Sequence, residues 1–551
     1  MVRARIRVAA TLLAAATGMI SAAEAAPPRP KLVVAIAIDQ FSAELYERYR
    51  PSFTGGLKRL GEGIAFTGYQ SHAATETCPG HSTILTGRHP AATGIIANTW
   101  FDTKRGTNVY CVAVPGAADP DARGPQNLRV STFGDWLKQA QPKARVVSIS
   151  GKDRAAIMLG GHKADAVYWW KDGVGFTTSA YAGPATAAVT APAAVFDHAL
   201  FARWKANPPQ LWPTEVPAAC RALEQPHVFG KLAISGTIPP DLARTAEEGD
   251  FLNSAQFKDQ LHISPIFDPM TLDFVDETID RLKLGHGPAT DLLAVSLSST
   301  DYIGHRYGNG GAEMCVQMHA LDQALGAFLA KLDRLGVPYV VALTADHGGN
   351  DAAERVVEHG IKAERIDPAA FVKALNDALQ AQLGLTSKPI VGDDPQQLTI
   401  NVGPDPALRA RVRDAAVAWL KQRPEVAAVF TADQTAAAVP PRGKTPDQLT
   451  VLERFHESYD KERSGDIQVE LSEHASIGMP RRPGDNVAGH GSPWDYDRRV
   501  PILFWWPGIA AEPRADPIET VDIAPTLAAI VKVPTPQVDG KCLASVAERC
   551  R

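Results

Sequence analysis

The sequence predicts an α/β fold: a doubly wound, largely parallel sheet with helices on both faces. Three observations carry this. First, three apolar runs close on an acidic residue: KLVVAIAID at Asp39, LLAVSLSSTD at Asp301, and YVVALTAD at Asp346 with His347 next. Second, unbroken runs of Val, Ile and Leu suit strands buried on both faces of a parallel sheet, and ARVVSIS before Gly151 and VPILFWWPG from Val500 read the same way. Third, amphipathic stretches such as MCVQMHALDQALGAFLAKLDRLG lie between them, with apolar residues at helical spacing. Strands alternating with helices make a doubly wound domain. Ligands of such sheets bind beyond the carboxyl ends of the strands, which is where Asp39, Asp301, Asp346 and His347 fall. One acid there is ordinarily a helix cap; three, two of them with His nearby, point to a site.

Taken in order, the chain opens on MVRARIRVAATLLAAATGMISAAEAAPPRP. Arg3, Arg5 and Arg7, a short apolar run and the small residues at 23–25 form the pattern of an export signal over residues 1–25, with a mature start near Ala26. The expected location is periplasmic or secreted, with no stable membrane insertion. Residues 26–551 then form one domain. Two stretches fit the alternation poorly, about 172–285 and about 360–480, and read as insertions that wall the substrate opening. The formal net charge of -5 gives no basic body for nucleic acid. Six cysteines in an exported chain favour disulfides, and six allow 15 connectivities. Cys542–Cys550 encloses a short loop; Cys78–Cys111 and Cys220–Cys315 are the pairs expected next.

The chemistry is concentrated in a few motifs. DYIGH sets Asp301 and His305 four apart, ADHGG joins Asp346 to His347, and AGHGSPW holds His490 in a Gly-rich loop. With Asp39 they supply carboxylates and imidazoles in the mixture zinc accepts, too many for one four-coordinate ion and enough for two if another group completes a site. Two such ions form a clamp for phosphoryl transfer, and a hydroxyl bound to one loses its proton near neutral pH. The stretch ATETCPGHSTILTGRHP, residues 74–90, can supply that hydroxyl.

ETCPGHSTILTGRHP, GIIANTWFD, STDYIGH, TADHGG and GHGSPW, in this order, resemble the alkaline phosphatase superfamily. They resemble in particular its branch with a Thr nucleophile, which includes nucleotide pyrophosphatase/phosphodiesterases and the PhoK/PafA type of bacterial alkaline phosphatase. The likeness runs from about residue 31 to TVDIAPTLAAIV. It implies Thr77 as nucleophile; Asp39, Asp346 and His347 as ligands of the zinc beside it; and Asp301, His305 and His490 as ligands of a second zinc. It implies Asn98 as an amide donor to a phosphoryl oxygen. Lys152 and Arg154, in GKDRAAI, match a Lys-x-Arg pair carried by the monoesterases and absent from the diesterases. The expected substrates are therefore small phosphate monoesters, cleaved through a phosphothreonine. The alternatives are a phosphodiesterase of the same superfamily and a non-catalytic zinc-binding protein. A sulfatase fits poorly, because CPGHS lacks the C/S-x-P-x-R pattern. His81 and Cys78 match no ligand and read as structural, Cys78 as half of a disulfide. His72, His89, His319 and His359 carry no motif. No sequence signal marks a further calcium site or an oligomeric state.

Overall fold

The computed structural model describes residues 29–179, 187–241, 251–392 and 395–550. The expected export signal lies outside them. Among the described residues nine strands form the main sheet: β1 (Leu32–Ile38), β2 (Ile64–Tyr69), β3 (Val146–Ser150), β4 (Ala166–Lys171), β5 (Gly175–Thr177), β6 (Asp291–Leu297), β7 (Tyr339–Thr344), β8 (Arg499–Trp505) and β9 (Glu512–Glu519). Their spatial order is 9-2-8-7-1-6-3-4-5. Only β5 and β8 run against the others, so the sheet is largely parallel. Every residue of β1 is buried, as its unbroken apolar run requires.

The two faces of β1 enter different halves of the core. Leu32, Val34, Ile36 and Ile38 pack with the helices at Phe267–Leu282 and Ala312–Arg334. Val33, Ala35 and Ala37 pack on the opposite side with α1 (Thr77–Thr86), α2 (Asp153–Gly160) and the helix at Ile523–Ile530. Helices thus cover both faces. The stretch 172–285 contributes a sheet strand and a long core helix to this body. The helices Pro368–Leu383 and Pro406–Leu420, with the strand pair Val426–Thr431 and Ile467–Leu471, enclose a separate small core.

Asp39 follows β1 directly and Asp346 follows β7 after Ala345, both at the strand ends as expected. Asp301 differs: β6 ends at Leu297, and Asp301 occupies the first turn of α3 (Ser299–Tyr307). The physical reason is Asp268, whose buried carboxylate accepts from the backbone N–H groups of Ser298 and Ser299 and starts the helix there. All three expected disulfides are formed, Cys78–Cys111, Cys220–Cys315 and Cys542–Cys550. No helix among the described residues is long and apolar enough to cross a membrane.

Candidate active site

At the carboxyl ends of β1, β6 and β7 the fold gathers the acids and imidazoles that lie far apart in sequence. Asp39, Asp346 and His347 form one tight group, and Asp301, His347 and His490 form another; within each, one ligand atom per residue lies within 4.8 Å of the others. His347 belongs to both. His305, one helical turn from Asp301, aims Nε2 at the same Asp301 oxygen, Oδ1, that His490 faces, at 3.3 and 3.4 Å.

The imidazoles share one orientation. Nδ1 of His305, His347 and His490 meets the backbone carbonyl of Ala488 (2.9 Å), Gly348 (2.8 Å) and Thr75 (2.8 Å) respectively. A ring that donates through Nδ1 keeps a lone pair on Nε2, and in all three rings Nε2 faces the carboxylates. Burial pulls the His347 pKa down to about 3 against the neighbouring Asp346, and lowers His490 as well.

The carboxylates are equally unsatisfied. Both oxygens of Asp39, Oδ1 of Asp301, Oδ2 of Asp346 and Nε2 of His347 are buried without a hydrogen bond. Burial, and next the neighbouring Asp346, pushes Asp39 well above the usual carboxylate range. Burial also works to raise Asp301 and Asp346. Lys152 and His305 outweigh it at Asp301, and His347 and His81 outweigh it at Asp346, so both stay low. Three buried acids with several acceptor atoms outside any hydrogen bond repel one another unless cations join them, and the single Lys152 ammonium reaches only Asp39 and Asp301. The donor set therefore fits divalent metal, and its His-and-carboxylate composition fits zinc.

Thr77 is the first residue of α1 and is buried. Its hydroxyl lies at the end of the helix where backbone N–H groups favour an anion. Gly80 allows this helix to sit directly against the metal-type group: a Cβ there would come within 2.0 Å of the Asp346 carbonyl oxygen. Arg154 Nη2 approaches Thr77 Oγ1 at 3.4 Å. Lys152 Nζ lies 2.5 Å from Oδ2 of both Asp39 and Asp301, aligned as a hydrogen bond only to Asp301. Burial opposes its charge, but Asp301 and Asp39 hold the ammonium well above its ordinary range. Asn98 has its side-chain oxygen committed to Cys78 N–H (2.8 Å), so its NH2 group is the end that can donate. Every residue singled out from the sequence is thus brought to this one region.

Four further residues contribute beyond the set assigned to the site, His81 among them, which the sequence reads as structural. Glu76 Oε2 accepts from Asn98 N–H at 2.8 Å. Tyr302 places its ring 4.7 Å beneath Lys152 Nζ. The Thr75 carbonyl orients His490. His81 has Nδ1 2.9 Å from the Thr77 carbonyl oxygen and 3.0 Å from Asp346 Oδ2, with Nε2 3.0 Å from Ser296 Oγ. His81 alone had a legible signal, since four residues along a helix from Thr77 puts it on the same face. A cavity of about 740 Å³ adjoins the site, lined in part by Lys152, Arg154, Trp169 and Tyr302.

The chain matches the model of the type I phosphodiesterase/nucleotide pyrophosphatase family over residues 33–493. It is 43% identical over 532 residues to alkaline phosphatase PhoK of Sphingomonas sp., covering 94% of this chain and 91% of that one. It is 41% identical over 526 residues to alkaline phosphatase PhoD of Zymomonas mobilis, covering 93% and 88%. The crystal structure of alkaline phosphatase PafA superposes with a TM-score of 0.81 at 27% identity, covering 95% of this chain and all of the other. Family, fold and catalytic-end geometry agree: the chain belongs to the alkaline phosphatase superfamily, in the branch of PhoK/PafA-type alkaline phosphatases, and is a phosphate monoester hydrolase.

Proposed function

We propose that the protein is an exported, two-zinc alkaline phosphatase that works through a phosphothreonine at Thr77. The observation that carries this is the set of buried acceptor atoms left without a hydrogen bond on Asp39, Asp301, Asp346 and His347, with Nε2 of His305 and His490 beside Asp301 Oδ1 and Nε2 of His347 beside Asp39 Oδ1. Asp39, Asp346, His347 and the Thr77 hydroxyl would hold one ion, and Asp301, His305 and His490 the other. Bound there, zinc supplies positive charge that favours the alkoxide and stabilises the developing oxyanions.

The protein's own groups do the rest. Thr77 Oγ attacks phosphorus in line, forming the Oγ–P bond as the bond to the leaving oxygen breaks. Asn98, Lys152 and Arg154 hold the unsubstituted phosphoryl oxygens, and this fixed arrangement of donors stabilises their rising charge. Water then attacks the phosphothreonine at phosphorus as the Oγ–P bond breaks, so that Thr77 Oγ regains a proton and inorganic phosphate leaves. A diesterase is the second reading, favoured by the family model. Against it stand Lys152 and Arg154, two cations suited to the extra charge of a monoester, where a diester would place an organic group. Residues 1–25 act as the export signal, and three disulfides suit an oxidising periplasmic or extracellular setting.

Thr77→Ala tests the mechanism. The variant should keep its fold and metal content and lose turnover of an aryl phosphate by about three powers of ten or more, with Thr77→Ser retaining part. Acid quenching of wild type during turnover should leave phosphate on Thr77, found by peptide mapping. Near-normal turnover in Thr77→Ala would end the assignment.

A further inference from the structure

We infer that the Cys78–Cys111 disulfide is a positioning element for catalysis, acting through the side-chain amide of Asn98. This rests on the reading of Asn98 as a donor to the phosphoryl group. Asn98 stands at the base of a two-stranded ribbon, Thr99–Asp102 paired with Thr107–Tyr110, whose turn is exposed. A ribbon of that size has little stability of its own and does not fix a side chain at its root.

What fixes Asn98 is a closed ring of contacts that begins and ends beside the nucleophile. Cys78, next to Thr77, donates its backbone N–H to Asn98 Oδ1 at 2.8 Å. The backbone carbonyl of Asn98 accepts from Cys111 N–H at 2.9 Å. The ring closes through the bond between Cys111 and Cys78, both wholly buried. Asn98 N–H to Glu76 Oε2 adds a tether on the other side of Thr77. The hydrogen bond to Oδ1 settles which end of the amide faces outward. The disulfide settles how far the ribbon's root stands from α1, because it is the one covalent link in the ring.

Opened at that link, residues 110–113 would still be held by Asn127 Nδ2, which reaches the carbonyls of Tyr110, Cys111 and Ala113 at 3.1–3.4 Å. The ribbon would stay attached to the fold while its distance from Thr77 relaxed. A displaced donor is what the reaction would register, since misplacement by about 1 Å can cost on the order of a hundredfold in rate.

A double-mutant cycle on kcat/KM for an aryl phosphate tests this, with holoenzyme loaded with zinc throughout. Asn98→Ala alone should cost about a hundredfold, the usual effect of removing one donor to a developing oxyanion. Cys78→Ala/Cys111→Ala should cost about tenfold in the presence of Asn98, and less than about threefold once Asn98 is already alanine. Cys542→Ala/Cys550→Ala, at the far terminus, should leave kcat/KM unchanged while lowering Tm. If Asn98→Ala costs nothing, the reading of Asn98 is wrong, and this inference falls with it. If Asn98→Ala is costly and the bridge costs the same in both backgrounds, the inference alone is overturned. Should the double alanine variant not fold, Cys78→Val/Cys111→Ala, which refills the space without the bond, decides by the same comparison. Failure of both to fold would make the bridge a folding element and contradict the proposal.

Discussion

The two halves of the metal-type site are built from different materials. Asp39, Asp346 and His347 are wholly buried and extend from β1 and β7, neighbours paired in parallel register from Leu32 with Tyr339 to Ala37 with Thr344. Asp301 and His305 lie on α3, and His490 lies in a loop between two glycines, with the His305 side chain 24% exposed. The loop is held by point contacts: Val487 N–H to the His305 carbonyl at 2.7 Å, and Ser492 Oγ to Asp497 Oδ2 at 2.6 Å. The first half cannot move without the central sheet. The second can shift by small changes in a loop, so stability and metal retention should be coupled in one half and separable in the other.

The largest effect should come from crowding the first half. Gly80→Ala would put a Cβ 2.0 Å from the Asp346 carbonyl oxygen, so α1 and the strand end must part. Turnover should fall more than about a hundredfold and stability by about 3 kcal/mol or more, together. Thermal unfolding and aryl phosphate kinetics on one preparation check this; lost activity at unchanged Tm would break the comparison. In the second half, Ser492→Ala removes the hydroxyl bond to Asp497 and the acceptor for Trp494 N–H, leaving the backbone N–H of residue 492 on that carboxylate. Zinc should leave to a chelator about tenfold more readily from one site only, while stability changes by about 1 kcal/mol or less. A large loss of stability with both ions still firmly held would reverse the distinction.

The smallest effect lies away from both halves. Asp197 is buried beside β5, accepts from Phe176 N–H at 3.1 Å, and burial raises its pKa to about 7. A carboxyl raised above its ordinary value of 3.8 favours the folded state when protonated. That contribution is complete below the unfolded value and is lost as pH rises through about 7. Asp197→Asn should match wild type in stability at low pH and exceed it above neutrality by on the order of 2 kcal/mol, with turnover unchanged. Denaturant unfolding across that range reads it, and a constant gap between the two proteins would count against the buried charge.

Legibility in the sequence followed the same division. The strands were readable because β1, β6 and β7 are buried on both faces, which writes unbroken apolar runs, although only those of β1 and β7 stop at their ligand while β6 gives way to α3 before Asp301. The ligands stood out because few other roles put Asp and His together at such ends. What stayed hidden were contacts made through backbone atoms and long-range packing. Asp268 sets where α3 begins, Gly80 sets the approach of α1, and the Thr75 carbonyl turns His490, yet none of these residues forms a pattern in one dimension. Nor does sequence spacing reveal that His347 stands between the two ligand groups.

Zinc titration of chelator-stripped protein, with an aryl phosphate monoester as substrate, decides whether two zinc ions drive a Thr77 nucleophile. The stripped protein should be folded and inactive, and its turnover should return as zinc is added and saturate at two ions per chain. Full turnover in the stripped protein, or saturation at a single ion, would contradict the two-zinc site.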